Sequence, residues 1–274
     1  MTVRQTQIDD SLYARPLPSA PLEECFFYHT MELPGIGIVE GSWDLRGEFP
    51  DYTNHLDFRG KRVIDIGAGA GFLTFEAEKA GAAEVVSFDM DRSERQDYLP
   101  FQEKLWYRDR GAYARQHDLW IERWHKAYWT AHRAHGSAAR AYYGDVYALP
   151  DGLGQFDIAI VGSILEHLAD PIKALASIAR RTEGQMVIVT PMLDTDEPIA
   201  RFLGDKDKPK LDFHFWNYSR GIYRHVLGML GFELTEINKR GFRFLRDGGK
   251  RHDRWILTAT RIAGGSEPGA SGSV

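Results

Sequence analysis

Residues 61–91, KRVIDIGAGAGFLTFEAEKAGAAEVVSFDMD, constrain this chain more than any other stretch. A short apolar run at 63–66, interrupted by Asp65, passes directly into three alternating glycines, Gly67, Gly69 and Gly71. A helical stretch at 72–79 is broken at Gly81, and a second apolar run at 85–88 ends in Asp89. The order is strand, tight glycine turn, helix, strand, acid. Without a Cβ, the glycines let the backbone turn sharply and approach a ligand closely, and free N–H groups at the next helix start favour polar or anionic ligand groups. An acid closing the second strand can accept hydrogen bonds from both hydroxyls of a ribose. The unit reads as the nucleoside-binding half of a doubly wound sheet.

Spacing separates the cofactor classes that share glycine turns. Phe72 stands where a dinucleotide enzyme carries its third glycine, and Asp65 precedes the first glycine. A carboxylate there suits a cofactor bearing an ammonium and a sulfonium better than a pyrophosphate, so a nicotinamide oxidoreductase is the disfavoured alternative. The pattern D-x-G-x-G-x-G resembles motif I of the class I S-adenosylmethionine-dependent methyltransferases. That resemblance implies that the carboxylate near the strand end helps to hold the methionine moiety of the cofactor.

The remaining text supplies the other parts of such a sheet. Residues 141–143 form a short strand entering Gly144-Asp145-Val146, 156–161 (FDIAIV) a buried strand, and 185–190 (QMVIVT) a fifth strand stopped by Pro191. Asp170 and Pro171 suit the cap and first position of a helix reaching about residue 180, and Ser219 suits the cap of another at 220–230. Two further strands, 232–237 and 254–260, give a Rossmann-like α/β fold, and together with the preceding five they match the seven-stranded mixed sheet that the resemblance to class I methyltransferases implies, in which the last strand inserts antiparallel. Ligands of open α/β sheets bind beyond the carboxyl ends of the strands, which places Gly162 to His167 at the site. His167 is the imidazole best placed there to act as a general base.

Between the second and third core strands nearly fifty residues intervene, read as a helical insertion at 92–140. It carries four of the seven tryptophans (Trp106, Trp120, Trp124, Trp129). Tyr113, His117, Trp120, Ile121, Trp124 and Tyr128 recur at helical spacing, which predicts an aromatic face. That face either packs on the core or forms an acceptor-binding lid, for a planar substrate or for RNA bases and phosphates. His125, His132 and His135 invite a metal reading that no cysteine or carboxylate pattern supports, so no metal is expected. Upstream, residues 25–43 predict a hairpin around Pro34-Gly35, laid over the cofactor cleft or packed at the sheet edge. The chain thus divides into an N-terminal arm and cap (1–58), a core (59–262) holding the insertion, and a disordered tail (263–274).

A net charge of −5 gives no global push toward nucleic acid or an anionic membrane. The lone Cys25 excludes an intramolecular disulfide framework, and neither a signal-peptide core nor a membrane-length apolar run is present, so the expectation is a soluble cytoplasmic protein. The order HTMELPG, GSWD, the glycine-turn unit and GSILEHLADPIKAL is similar to a methyltransferase family related to the tRNA wobble-uridine carboxymethyltransferases. By that likeness Asp65, Gly67, Ala68, Gly69, Asp89, Met90, Asp145, Val146, Gly162 and Ser163 line the cofactor pocket. Met90 packs on adenine and Asp145 contacts its amino group. The implied cofactor is S-adenosylmethionine, and the acceptor is expected to be a small molecule rather than RNA.

Overall fold

A computed structural model of the chain describes residues 8–99, 108–208 and 213–262. Trp106, Lys104, the end of the 205–210 charge run and the tail at 263–274 lie outside the described residues. Strands β1 (Met31–Leu33) and β2 (Gly37–Val39) form the hairpin expected around Pro34-Gly35 and pair with each other as a separate ladder. Strand β3 (Trp43–Asp44) and the one-turn helix α1 (Phe49–Tyr52) follow. The wound core then runs β4 (Arg62–Ile66), α2 (Phe72–Lys79), β5 (Glu84–Asp89), α3 (Arg110–His135), β6 (Arg140–Tyr143), β7 (Phe156–Gly162), α4 (Pro171–Ala179) and β8 (Thr182–Thr190). A small ladder of β9 (Ala200–Phe202) and β10 (Trp216–Tyr218) precedes α5 (Arg220–Met229) and a long hairpin of β11 (Phe232–Phe244) and β12 (Lys250–Arg261).

The main sheet has the order β3-β11-β12-β8-β7-β4-β5-β6. From β6 to β8 all neighbours are parallel, whereas β12 inserts antiparallel against β8 and β11 runs antiparallel to β12. The expected seven strands are therefore joined by an eighth. Both hairpin strands run well beyond the predicted 232–237 and 254–260, and the added length of β11 offers free backbone groups to which Trp43 and Asp44 pair, opposite Phe244 and Arg243.

Two apolar layers clothe the sheet, and the strand pleat assigns alternate residues to each. On one face Val63, Val85, Ala141 and Ile160 pack under α2, α3 and the N-terminal segment; on the other Ile64, Ile66, Val86 and Val161 pack under α4 and α5. The span predicted as an insertion holds the crossover helix itself. Parallel neighbours β5 and β6 require such a connection, and α3 supplies it, capped by Asp109 at its start and by left-handed Gly136 at its end. Its second half buries Ala127, Tyr128, Trp129 and Ala131 in the core, while Leu119 and Trp120 in its first half are 62% and 43% exposed. The aromatic face is thus core packing at Tyr113, Ile121 and Tyr128, with Trp120 turned outward.

Candidate active site

The glycine turn after β4 is left-handed at all three glycines, with φ of 80°, 56° and 90° at Gly67, Gly69 and Gly71. A Cβ on Gly67 would run into Cγ2 of Ile164, and one on Gly71 into the rings of Phe75 and Tyr128; one on Gly69 would meet nothing within 4 Å. The first and third glycines therefore serve close packing, and the second leaves an open cradle. The N–H groups of Gly67 and Ala68 both donate to the Phe88 carbonyl at 2.9 Å, which ties the turn to the end of β5. There Asp89 accepts from the N–H of Gly69 through Oδ2 and from its neighbour Met90 through Oδ1, each at 2.7 Å. Burial pushes this carboxyl above the usual range, against the pull of those two bonds and of His125. His125 donates from Nε2 to the Met90 carbonyl at 3.1 Å and stacks on Tyr143, with ring centroids 3.8 Å apart.

Asp65 shares its strand face with Val63, so its carboxyl points into the layer beneath α2 and α3. It is fully buried. Oδ2 accepts from the Thr74 hydroxyl at 2.8 Å, and a chain of hydroxyls continues from Thr74 to Ser87 and from Ser87 to Tyr128, again at 2.8 Å each. Oδ1 has no partner. With desolvation dominant and Asp89 adding like charge, the carboxyl is pushed up to about 7.

The loops after β6 and β7 complete the edge. Asp145 accepts from the Tyr147 N–H at 2.9 Å, capping a short 3-10 turn whose Val146 is buried, and Oδ2 takes a 3.3 Å bond from Arg95, which also pairs with Asp91. Gly144 donates to the Asp89 carbonyl at 2.9 Å. At the end of β7, a Cβ on Gly162 would crowd Leu73 and the Tyr52 hydroxyl, and Ser163 is held left-handed at φ 52°. A non-glycine residue in that conformation costs on the order of 1–3 kcal/mol, a strain that clusters at functional sites. The loops bearing Gly67–Gly69, Asp89–Met90, Asp145 and Gly162–Ser163 thus converge on one end of the parallel strands. His167 sits to one side, its Nδ1–H donating to the Phe213 carbonyl at 3.0 Å and its ring against His214. The three histidines of the metal reading have separate partners: Met90 for His125, the Ala139 carbonyl for His132, and the Phe75 ring for His135. Among the described residues no group of three or more ligating side chains is placed to hold a metal.

The sequence matches a methyltransferase-domain family across residues 44–239, a span that contains every one of these loops. The chain belongs to that family. S-adenosylmethionine is the cofactor of the class I methyltransferase domain, and the open cradle at Gly69 beside Asp89 fits a nucleoside-bearing ligand. Curated methyltransferases share shorter stretches. The ribosomal protein L11 methyltransferase of Vibrio cholerae is 38% identical over 58 residues, 21% of this chain and 20% of that protein. The ubiquinone biosynthesis O-methyltransferase of Neisseria meningitidis is 41% identical over 64 residues, 19% of this chain and 27% of that protein. The chain thus matches only about a fifth to a quarter of these relatives' length. A candidate S-adenosylmethionine dependent methyltransferase from Listeria monocytogenes has the same fold, with a TM-score of 0.50 at 14% identity, covering 80% of this chain and 100% of that one. No helix among the described residues is long and apolar enough to cross a membrane.

The methyltransferase edge also includes residues that sequence reasoning left without a role. Beside Gly162 and Ser163 lies a cavity walled by Tyr28, His29, Trp43, Tyr52, Phe242 and Arg254. His29 was visible in the HTMELPG text, but nothing local marks it as facing β7; Tyr52 and Arg254 come from opposite ends of the chain.

Proposed function

We propose that this chain transfers the methyl group of S-adenosylmethionine to an oxygen or nitrogen of a small-molecule acceptor by in-line displacement. The observation that carries the reading is Asp89, fixed by the Gly69 and Met90 N–H groups at the mouth of the glycine cradle, where a carboxylate with remaining lone pairs suits ribose hydroxyls. In this reading Asp65 lies toward the methionine moiety, Gly67 and Ala68 shape the turn, Met90 and Val146 flank adenine, and Asp145 meets its amino group once Arg95 gives way. The cofactor supplies an electrophilic methyl on a sulfonium. The chain's part is positioning, which can contribute about 7–11 kcal/mol through effective molarity. His167, with Nδ1 pinned as a donor and Nε2 left as an acceptor, is one group able to take an acceptor proton.

Calorimetry with S-adenosylmethionine and S-adenosylhomocysteine tests this directly: both bind, and failure of both to bind overturns the proposal. Asp89→Ala is expected to weaken binding by on the order of 1–3 kcal/mol through lost charged hydrogen bonds. Unchanged affinity in that variant places the ribose elsewhere.

A small acceptor is favoured over RNA because six of the cations among the described residues of the 92–140 span are occupied. Arg92 and Arg95 pair with Asp91, Lys126 with Glu24 and Glu122, and Arg140 with Asp10 and Glu84. Arg123 and Arg133 bond backbone carbonyls of the N-terminal arm. Salt-dependent retention on tRNA, lost when Arg108, Arg115 and Arg123 are neutralised, is the result that turns the assignment to RNA.

A further inference from the structure

Residues 91–99 leave the end of β5 and are tied down to the loops that follow β6 and β7. At the start of the segment the buried Ser93 donates its N–H to Asp118 of α3 at 2.8 Å. Arg95 donates to Asp91 at 3.2 Å and to Oδ2 of Asp145, in the β6 loop, at 3.3 Å. Asp97 comes next. Its Oδ2 accepts from the Tyr147 hydroxyl, also in the β6 loop, and from the Ala169 N–H, beyond β7, at 2.8 Å. The Tyr147 hydroxyl oxygen accepts in turn from the Asp170 N–H at 3.3 Å, and burial together with Asp97 pushes this phenol above its ordinary range, so it stays a donor. Leu99 then packs on Gly204, where an added Cβ would lie 2.8 Å from its Cδ1.

In the sheet, β4 and β5 lie between β7 and β6. A carboxylate shared by the β6 and β7 loops therefore joins the two loops that flank the glycine turn and Asp89, at the carboxyl end of the strands. The two ties differ in kind. Arg95, Asp91 and Asp145 are each about a third exposed, so that pairing is weak and exchangeable. It also competes with a ligand: Oδ1 of Asp145 is used by the Tyr147 N–H, which leaves Oδ2 for an adenine amino group, and Arg95 holds it. Asp97 takes two bonds on a charged oxygen, which makes it the stronger tie.

We infer that residues 91–99 are a strap over the nucleoside end of the cofactor cleft, latched by Asp97 to Tyr147 and Ala169, and that the cofactor enters and leaves when this latch opens. The inference rests on the methyl-transfer reading above. The Asp97 bonds are available whether the cleft is empty or filled, whereas the Arg95–Asp145 bond holds only while it is empty. The latch accordingly sets the speed of exchange, and Arg95 sets part of the affinity. S-adenosylhomocysteine carries the same nucleoside as the cofactor, so product release passes the same latch and strap opening limits repeated turnover.

The test measures association and dissociation rates of S-adenosylhomocysteine on the whole chain by surface plasmon resonance. Asp97→Ala is expected to speed both by about tenfold and to leave Kd within about twofold of wild type, because the same charged bonds are lost from the empty and the filled closed states. Tyr147→Phe keeps the ring over which Lys173 lies and removes only the hydroxyl, so it retains the local packing and is expected to speed both rates by about threefold. The double variant goes no further than Asp97→Ala, since the bond between the two is already gone. Arg95→Gln is expected to tighten binding by about threefold through faster association alone. Wild-type rates in both Asp97→Ala and Tyr147→Phe overturn the inference. Weaker binding carried by slower association makes Asp97 part of the scaffold, and weaker binding carried by faster dissociation alone puts Asp97 on the ligand; either result overturns it. Equal or weaker binding in Arg95→Gln overturns the competition at Asp145. Failure of S-adenosylhomocysteine to bind the wild-type chain is a separate outcome, and it removes the underlying methyl-transfer reading.

Discussion

Asp65→Asn is expected to leave stability unchanged near pH 4 and to raise it by on the order of 4 kcal/mol above about pH 8. The sign follows from proton linkage. Burial raises the folded-state value from 3.8 to about 7, so the folded chain binds the proton more tightly than the unfolded chain. The stability this contributes is complete below the unfolded value and is lost as pH rises through the folded one, because among the described residues an ionised Asp65 has no cation acting on it and no partner for Oδ1. Asparagine keeps the Thr74 bond and stays neutral throughout. Denaturant unfolding of both chains from pH 4 to 8 checks this; parallel curves show that the Asp65 charge is compensated. Repeating the series with saturating S-adenosylhomocysteine separates two roles. If the ligand ammonium lies against Asp65, the wild-type pH dependence flattens; if Asp65 is only an anchor for Thr74, it persists.

The paired substitutions Gly67→Ala and Gly69→Ala are expected to fail in different ways. At Gly67 a methyl adds left-handed strain and displaces Ile164, next to Ser163, and the sum is on the order of 2–4 kcal/mol of lost stability. At Gly69 there is strain alone, about 1–2 kcal/mol, because no protein atom lies within 4 Å of the added carbon. That carbon instead protrudes into the cradle beside Asp89, so binding of S-adenosylhomocysteine weakens by about tenfold or more. Thermal unfolding and calorimetry on the two variants give the comparison. Equal losses of stability with unchanged affinity at Gly69 remove the cradle as the ligand site.

How much of this was legible in the sequence depends on how local the encoding is. The glycine turn, α2 and the apolar strands declared themselves because positive φ, helix capping and two-residue alternation act within a few neighbours. The helix expected between β5 and β6 is there as α3, the crossover helix, and of the two surfaces left open for its aromatic face Tyr128 and Trp129 take the core, since spacing alone does not say which surface an aromatic face meets. The eighth strand was invisible because two residues, Trp43 and Asp44, have no periodicity to read. The edge bearing Gly67–Gly69, Asp89, Asp145 and Ser163 could be drawn from consecutive loops, because each follows a strand the sequence predicts. The cavity with His29 and Arg254 could not, because its walls come from sequence positions that share no motif.

The closure of β3 on β11 joins Trp43 to Phe244, and nearby Asn54 bonds Thr258 and the Ile256 carbonyl. These are contacts of very high sequence separation, and the loop-closure entropy they require is met only late in folding. The strands that carry the glycine turn, by contrast, pair within a continuous central stretch. Until residues 232–261 have been made, β8 lacks its antiparallel neighbour β12, and Phe242 and Arg254 are missing from beside Gly162 and Ser163.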